Sequence, residues 1–385
     1  MTAAPILPLG ATPATPAETS ILVRDAAPPD NAALVRLAAA CPMRGDLTMC
    51  MDREPDFFAL ARLEGERWRV GVTERDGEVV GCVAASARAA YVDGCATPSG
   101  YAGDLKVHPA HRGGDSADAL TRFAADTLRA VGGNALLTLA TILEGNRSME
   151  RRTIGPRGLP RLTRFATLEV HAIPFLLPRA AWVRGITVEA ARREDLDEMG
   201  ALWRAVAPRR QFAPVLDAER LAAFIDAAPG LRIEDYLVAR RADGRIAGFV
   251  ALWDQHLLKQ LRVLGYSRRL AMARTALDAM ARVAGTPRLP DVGSALPSLA
   301  ALHLCVPHTA PEILRALLLH AHEAHRQSGR LFLTLALDRR DPLRVALRGL
   351  LAQPTYVGAY ATTPAGRWRG RRLDGLPLHF EAALV

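Results

Sequence analysis

Apolar and polar positions alternate in two regimes along the chain. ILVRD is a short strand, a polar stretch closes at Asp30, and NAALVRLAAA carries apolar residues at helical spacing. WRVGVTER is a second strand, followed by DGEVVGCVA, where an Asp-Gly dipeptide introduces a run rich in Val and predicts a hairpin. GDLKVHP, emerging from a turn expected at SGYAG, is a strand closed by a proline; an amphipathic helix and the apolar strand ALLTLAT come next.

The same succession then returns. ITVEAARREDLDEMGALWRAV repeats the strand, polar stretch and helix, the last two meeting at Asp195. YLVARRA and DGRIAGFVA repeat the hairpin, LHLCVP the strand closed by proline, and RLFLTLAL the later strand. Such self-similarity predicts a duplicated unit. The fold class is therefore α+β (mixed α/β), as two tandem domains, each with a mixed, mostly antiparallel twisted sheet flanked by helices. Pro174 and Pro178 interrupt HAIPFLLPRAAWVRG, which places the boundary there. The expected organisation is a flexible tail over 1–20, a first domain over 21–175, a linker over 176–185 and a second domain over 186–385.

Composition narrows the function classes. At 385 residues there is material for two cores. Half the residues are hydrophobic, yet no run reaches the roughly 18 apolar residues of a spanning helix, so a soluble, cytoplasmic protein without membrane contact is expected. Five cysteines, none in a CxxC pair, argue against a disulfide framework and against structural zinc, and no metal is expected. The net charge of +9 is modest for this length and interspersed with acidic residues, which argues against nucleic acid as a partner. Nearly all the positive charge is arginine, since Lys106 and Lys259 are the only lysines. The arginine-rich run from Gly366 to Gly375 around Trp368 is read as a connecting loop, and HAHEAH, with His320, His322 and His325, as a helix end lacking zinc-protease spacing.

The strongest chemical signal follows Pro109. Arg112, Gly113 and Gly114 lie where a strand passes into a helix, so unobstructed backbone N–H groups would face a phosphate at the positive end of the helix dipole. Arg112 would add a charge-assisted contact. DLKVHPAHRGGDSADALTRFAADTLRAVG resembles the acyl-CoA-binding motif of the GNAT superfamily of N-acyltransferases, a strand ending VxP followed by RGxGxG or RGxGxA and a helix. By order of elements the resemblance covers most of the chain; the motif itself covers about fifteen residues. Asp115 stands where the second motif glycine is expected, and Ala117 matches the final small position.

The resemblance implies acetyl-CoA or another acyl-CoA as co-substrate and a small-molecule or peptide amine as acceptor. It assigns Arg112, Gly113, Gly114, Ser116 and Ala117 to the phosphates, the main chain of Leu105, Lys106 and Val107 to the acyl and pantetheine channel, and Asn146 to a further cofactor contact. Asp104, with Tyr101 as second candidate, falls where relatives carry the proton acceptor, and His108 and His111 flank the loop. Met43, Arg44, Asp52 and Arg53 are candidate acceptor contacts. The tyrosine that relatives use to protonate the thiolate has no counterpart near Thr153, and the second copy lacks the RGxG element after Pro307. The alternative is a catalytically lapsed pair that binds CoA or a protein partner without turnover.

Overall fold

The chain is described from a computed structural model covering residues 21–133, 136–155, 158–176, 178–180, 182–284, 288–362, 368 and 370–385; the expected tail over 1–20 lies outside these. In the first half the elements are β1 (Leu22–Asp25), α1 (Asn31–Ala39), β2 (Leu47–Asp52), α2 (Ala59–Glu64), β3 (Arg67–Arg75), β4 (Glu78–Val92), β5 (Cys95–Val107), α3 (Ser116–Gly132), β6 (Leu137–Leu143), α4 (Arg147–Arg152) and β7 (Leu162–Pro174). The second half continues with β8 (Ile186–Ala190), α5 (Leu196–Val206), β9 (Ala213–Pro214), α6 (Ala218–Ala227), β10 (Tyr236–Arg241), β11 (Ile246–Trp253) and β12 (Gln260–Tyr266). It ends with α7 (Arg268–Ala284), β13 (Ser298–Cys305), α8 (Pro311–His325), β14 (Phe332–Asp338) and β15 (Gln353–Thr362).

Turn chemistry sets the hairpins. Asp76 and Gly77 have φ of 53° and 80°, the paired left-handed conformation of a type I′ turn, and they join β3 to β4. Asp93 and Gly94, at 47° and 78°, do the same for β4 and β5. The turn expected at SGYAG is thus displaced to Asp93–Gly94, where the dipeptide satisfies both positive φ values. Residues 99–103 lie inside β5, pairing with β4 throughout and with β6 from Ser99 to Ala102.

The expected mixed, mostly antiparallel sheet flanked by helices is present, but the two halves do not each keep a sheet of their own. One continuous sheet runs β1-β3-β4-β5-β6-β15-β7-β14-β13-β11-β10-β8, with β9 added beside β4. The order is palindromic about the junction of β15 and β7, and so is the direction of pairing: β5–β6 and β13–β14 are parallel and every other neighbouring pair is antiparallel. Strand β15, late in the chain, is inserted between β6 and β7 of the first half. A second exchange lies outside the main sheet, where β12 pairs antiparallel with β2 and Arg262 meets Asp52 at 2.7 Å.

Helices cover both faces. On one face of the first half, α3 packs through Leu120, Ala124 and Leu128 onto Val83, Ala85 and Ala87. It lies so close to β3 that a Cβ on Gly71 would fall 2.4 Å from the Phe123 ring. On the other face, Leu34, Leu37, Phe57 and Phe58 close over Val70 and Val72. The junction has its own core, with Leu168, Ala166, Ala359, Phe212 and Trp368 buried together. Trp368, in the arginine-rich run, is therefore an interior side chain rather than an exposed stacking surface.

Because β7 and β15 are shared, the two halves are expected to unfold together. Leu168→Ala, a cavity at a fully buried junction position, should cost about 2–5 kcal/mol and lower one calorimetric transition for the whole chain; two transitions of which only one moves would contradict this.

Candidate active site

Strand β5 carries a bulge at the centre of the site. Asp104 has φ of 52°, and its register with β4 shifts so that Asp104 and Leu105 together face Val83. Beyond Ala102 the parallel pairing of β5 with β6 ends, leaving a V-shaped opening between the strands. The bulge also sorts the side chains, sending Leu105 and Val107 against α3 and Asp104 and Lys106 to the opposite face, toward Arg53.

At the end of β5 the chain turns through Pro109–His111 into α3, a helix of 17 residues. Gly113 has φ of 95° and open space where a side chain would lie, so backbone approaches this concavity without obstruction. Gly114 and Arg112 are exposed, the Arg112 Nε donating to the Val107 carbonyl at 3.1 Å. Ser116 is buried at the first turn and Ala117 follows it. Asp115 occupies the N-cap position without a side-chain capping bond. Arg75, at the end of β3, places its guanidinium 3.9 Å from the Cβ position of Gly114, and its buried Nε has no hydrogen-bond partner among the described residues. A buried orphan donor beside a glycine loop at a helix N-terminus fits a phosphate.

The opposite face of β5 holds a charge cluster. The Asp104 carboxylate accepts from Arg53 Nη1 at 2.9 Å and from the Lys106 ammonium. Arg53 is 1% exposed and also donates to the Phe57 carbonyl at 2.8 Å. Burial pushes the Asp104 carboxyl upward, but the Lys106 and Arg53 charges outweigh it and hold the group far below the usual carboxylate range. Lys259, arriving from the second half, donates to the main-chain oxygen of Val385. Burial, reinforced by the Arg53 charge, pulls its ammonium down to about 7. Lys106 thus pairs with Asp104, while Lys259 bonds Val385 and feels the Asp104 charge only at longer range.

A small, narrow cleft lies beside Tyr101, lined by Glu64, Arg88, Tyr101, Phe212, Phe380 and Glu381 among others. Tyr101 reaches across the opening from β5 to β6, its hydroxyl 3.0 Å from Thr141 Oγ1, and burial holds it well above the usual phenol range. Burial likewise pushes Glu64 up to about 7, with Glu381 adding to the rise and Arg88 opposing it.

Residues 32–151 match the acetyltransferase (GNAT) family. No curated protein matches the chain in sequence. Among solved structures, a GCN5-related N-acetyltransferase from Sphaerobacter thermophilus is 19% identical with a TM-score of 0.56, over 89% of this chain and 95% of that one. N-myristoyltransferase from Saccharomyces cerevisiae, solved with myristoyl-CoA, is 13% identical with a TM-score of 0.61, over 90% and 84%. A glucosamine N-acetyltransferase region of a fungal multi-domain GH3 β-N-acetylglucosaminidase is 13% identical with a TM-score of 0.59, over 90% of this chain but 38% of that one. At these identities the likeness is one of fold, and it extends over both halves.

The second half reproduces the bulge and then closes it. His303 in β13 has φ of 51°, and His303 and Leu304 oppose Val250 as Asp104 and Leu105 oppose Val83. Parallel pairing of β13 with β14 stops at Ala300 and Thr334. There the chain's own late segment enters: both Glu381 carboxylate oxygens accept from the His303 backbone N–H at 3.1 Å, and Gln255 donates to the Ala383 carbonyl at 2.7 Å. The corresponding opening in the first half lies beside the Tyr101 cleft.

The residues expected from sequence divide accordingly. Arg112, Gly113 and Gly114 share the loop and Ser116 and Ala117 open α3; Leu105, Lys106 and Val107 lie at and after the bulge on the strand that borders the opening; Tyr101 lines the cleft, while Asp104 sits in the charge cluster with Arg53 and Lys106. Asn146 caps α4, its Oδ1 accepting from the Met149 N–H at 3.3 Å. Asp104, expected as proton acceptor, is held ionised by two cations and is a weak base for that reason. Asp52 is paired with Arg262. Arg75, Lys259, Glu64 and the segment 379–381 were not anticipated; the rarity of lysine was the one available signal for Lys259.

The depressed Asp104 carboxyl contributes stability that is present above its unfolded pKa, about 4, and is lost as pH falls toward the folded value. Asp104→Asn should therefore cost roughly 3–5 kcal/mol at neutral pH, with the melting curves of variant and wild type converging in acid. A deficit independent of pH would assign the loss to packing instead.

Proposed function

We propose that the chain is an acyl-CoA-dependent N-acyltransferase, with acetyl-CoA as the donor and a primary amine as the acceptor, and that the second half is a degenerate GNAT-like copy completing the acceptor side of the first. The observation that carries this reading is the loop after Pro109, an open glycine turn at a long helix N-terminus, flanked by Arg112 and by the orphan donor of Arg75.

In this reading the 5′-pyrophosphate of CoA rests on the backbone N–H groups around Gly113 to Ala117, and the pantetheine arm enters the V between β5 and β6. A peptide N–H in the stretch Leu105–Val107 polarises the thioester carbonyl. Arg53 and Lys106 lie beside the place where negative charge develops and are balanced by a single carboxylate, Asp104. Asp104 then positions the cations and does not take the proton. Tyr101, kept protonated by burial, is suited to donate a proton to the leaving thiolate.

Acetyl-CoA and free CoA should each raise the melting temperature, by about 2.7 kcal/mol of added stability at a hundredfold excess over Kd. The shift should vanish in Arg112→Glu and shrink in Arg75→Met. A folded wild-type protein that neither ligand stabilises would overturn acetyl transfer, and stabilisation without thiol release from any amine would favour a binding module.

A further inference from the structure

Residues 379–385 are held from both halves of the molecule. Glu381 is 5% exposed; both its carboxylate oxygens lie 3.1 Å from the His303 backbone nitrogen, and one meets His379 Nε2 at 2.6 Å. The Glu381 carbonyl accepts from the Leu384 N–H at 3.0 Å, closing a turn that buries Ala383 and Leu384 with Trp203, Leu302 and the α2 residues Ala59 and Leu60. On the side of the first half, the Phe380 ring stands 6.3 Å from that of Tyr101. At the end of the segment, Lys259 donates to the Val385 main-chain oxygen.

The anchoring donor comes from the bulge of β13. A strand that bulges and parts from its neighbour turns backbone groups out of the ladder, and when buried these must find other partners. At His303 the partner is a carboxylate of the chain itself. The second half lacks the RGxG element, so a bulge there has no acyl-CoA to serve, yet the φ of 51° at His303 is retained. Docking of residues 379–385 gives that strained backbone a use.

Resting on the acyltransferase reading for what the first half does, we infer that the bulge of the second half is an intramolecular docking site for residues 379–385, and that Glu381 is a positioning residue acting through this segment on Tyr101 and Lys259. Phe380, its immediate neighbour, packs against Tyr101, and Val385, four residues on, takes the Lys259 hydrogen bond. The charged and titratable groups around Glu381 are His379, His303 and Arg88. Those acting on Lys259 are Arg53 and Lys106, which add to the effect of burial in holding its ammonium down to about 7, and Asp104, which opposes them. Release of the segment would admit water to Lys259 and remove the largest of these causes, burial.

The test reads Lys259 in the full chain. Lys106 and Lys259 are the only lysines, so labelling with acetic anhydride followed by peptide mapping separates them. Competitive labelling across pH should place the Lys259 amine near 7 in wild type. In Glu381→Ala the midpoint should rise toward the ordinary lysine value of about 10.4, and amide hydrogen exchange at His303 and over 379–385 should quicken at least about tenfold. Glu381→Gln, which keeps an acceptor oxygen, should stay close to wild type in both readings. Gln255→Ala frees the Ala383 carbonyl by a separate route and should move both readings in the direction of Glu381→Ala. The CoA-induced thermal shift should be equal in all of them.

A Lys259 midpoint unmoved in Glu381→Ala, or at the ordinary lysine value already in wild type, overturns the positioning role. Exchange at His303 as slow in Glu381→Ala as in wild type overturns the docking. Loss of the CoA shift together with the Lys259 change overturns both, because the effect is then global. If Glu381→Ala does not fold, Gln255→Ala decides by the same readings. Failure of CoA to stabilise wild type overturns the acyltransferase reading, and exchange and labelling still decide the docking.

Discussion

The backbone pairing of β15 between β6 and β7 is the constraint on which the molecule depends. Without it β6 would present an unpaired edge, the core around Leu168 and Phe212 would open, and the strand pairing between the halves would be reduced to that of β7, β9 and β12. With it, residues far apart in the chain are fixed around one cleft: Glu64 and Tyr101 from the first half, Phe212 and the segment 379–381 from the second.

The same local device has two outcomes. At Asp104 and at His303 a non-glycine residue with φ near 50° re-aims a strand and parts it from its parallel neighbour. Such residues cost of order 1–3 kcal/mol and persist where the surroundings over-determine them. Around Asp104 the surroundings are the cations Arg53 and Lys106. Around His303 they are Tyr236, whose hydroxyl meets His303 Nδ1 at 2.7 Å, and Glu381 on the backbone N–H. Burial holds the His303 imidazole down to about 4, so it is a neutral structural ring.

Much of the fold was legible because local chemistry and tertiary pattern agree. The duplicated hairpins, the strands closed by proline, α3 and the loop after Pro109 all follow from turn dipeptides and apolar period. The Asp93–Gly94 turn carried the same dipeptide as Asp76–Gly77 and lost out in the reading to the glycines of SGYAG, which serve close packing instead, as where a Cβ on Gly103 would fall 2.6 Å from the Tyr101 ring. The exchange of β15 was not legible, since period and propensity specify that a strand exists but not which edge it joins. Site residues set by tertiary charge escaped for the same reason. Asp104 read as a base because its two cations, Arg53 and Lys106, are neighbours only after folding and only at a bulge. Lysine's readiness to shift its pKa gave the scarcity of that residue a meaning that composition alone could not supply.

The insertion of β15 also bears on how the molecule is made. The Thr138 N–H donates to Thr362 Oγ1, a partner 224 residues later in the chain. At ribosomal speeds of roughly 5–20 residues per second, β6 therefore waits on the order of ten seconds or more for its neighbour. During that interval the edge of β6 and the floor of the cleft are open to solvent. Nascent chains long enough to carry the phosphate loop would still lack a finished sheet, so the ability to hold a donor would arrive late in synthesis, together with the residues that shape the acceptor side.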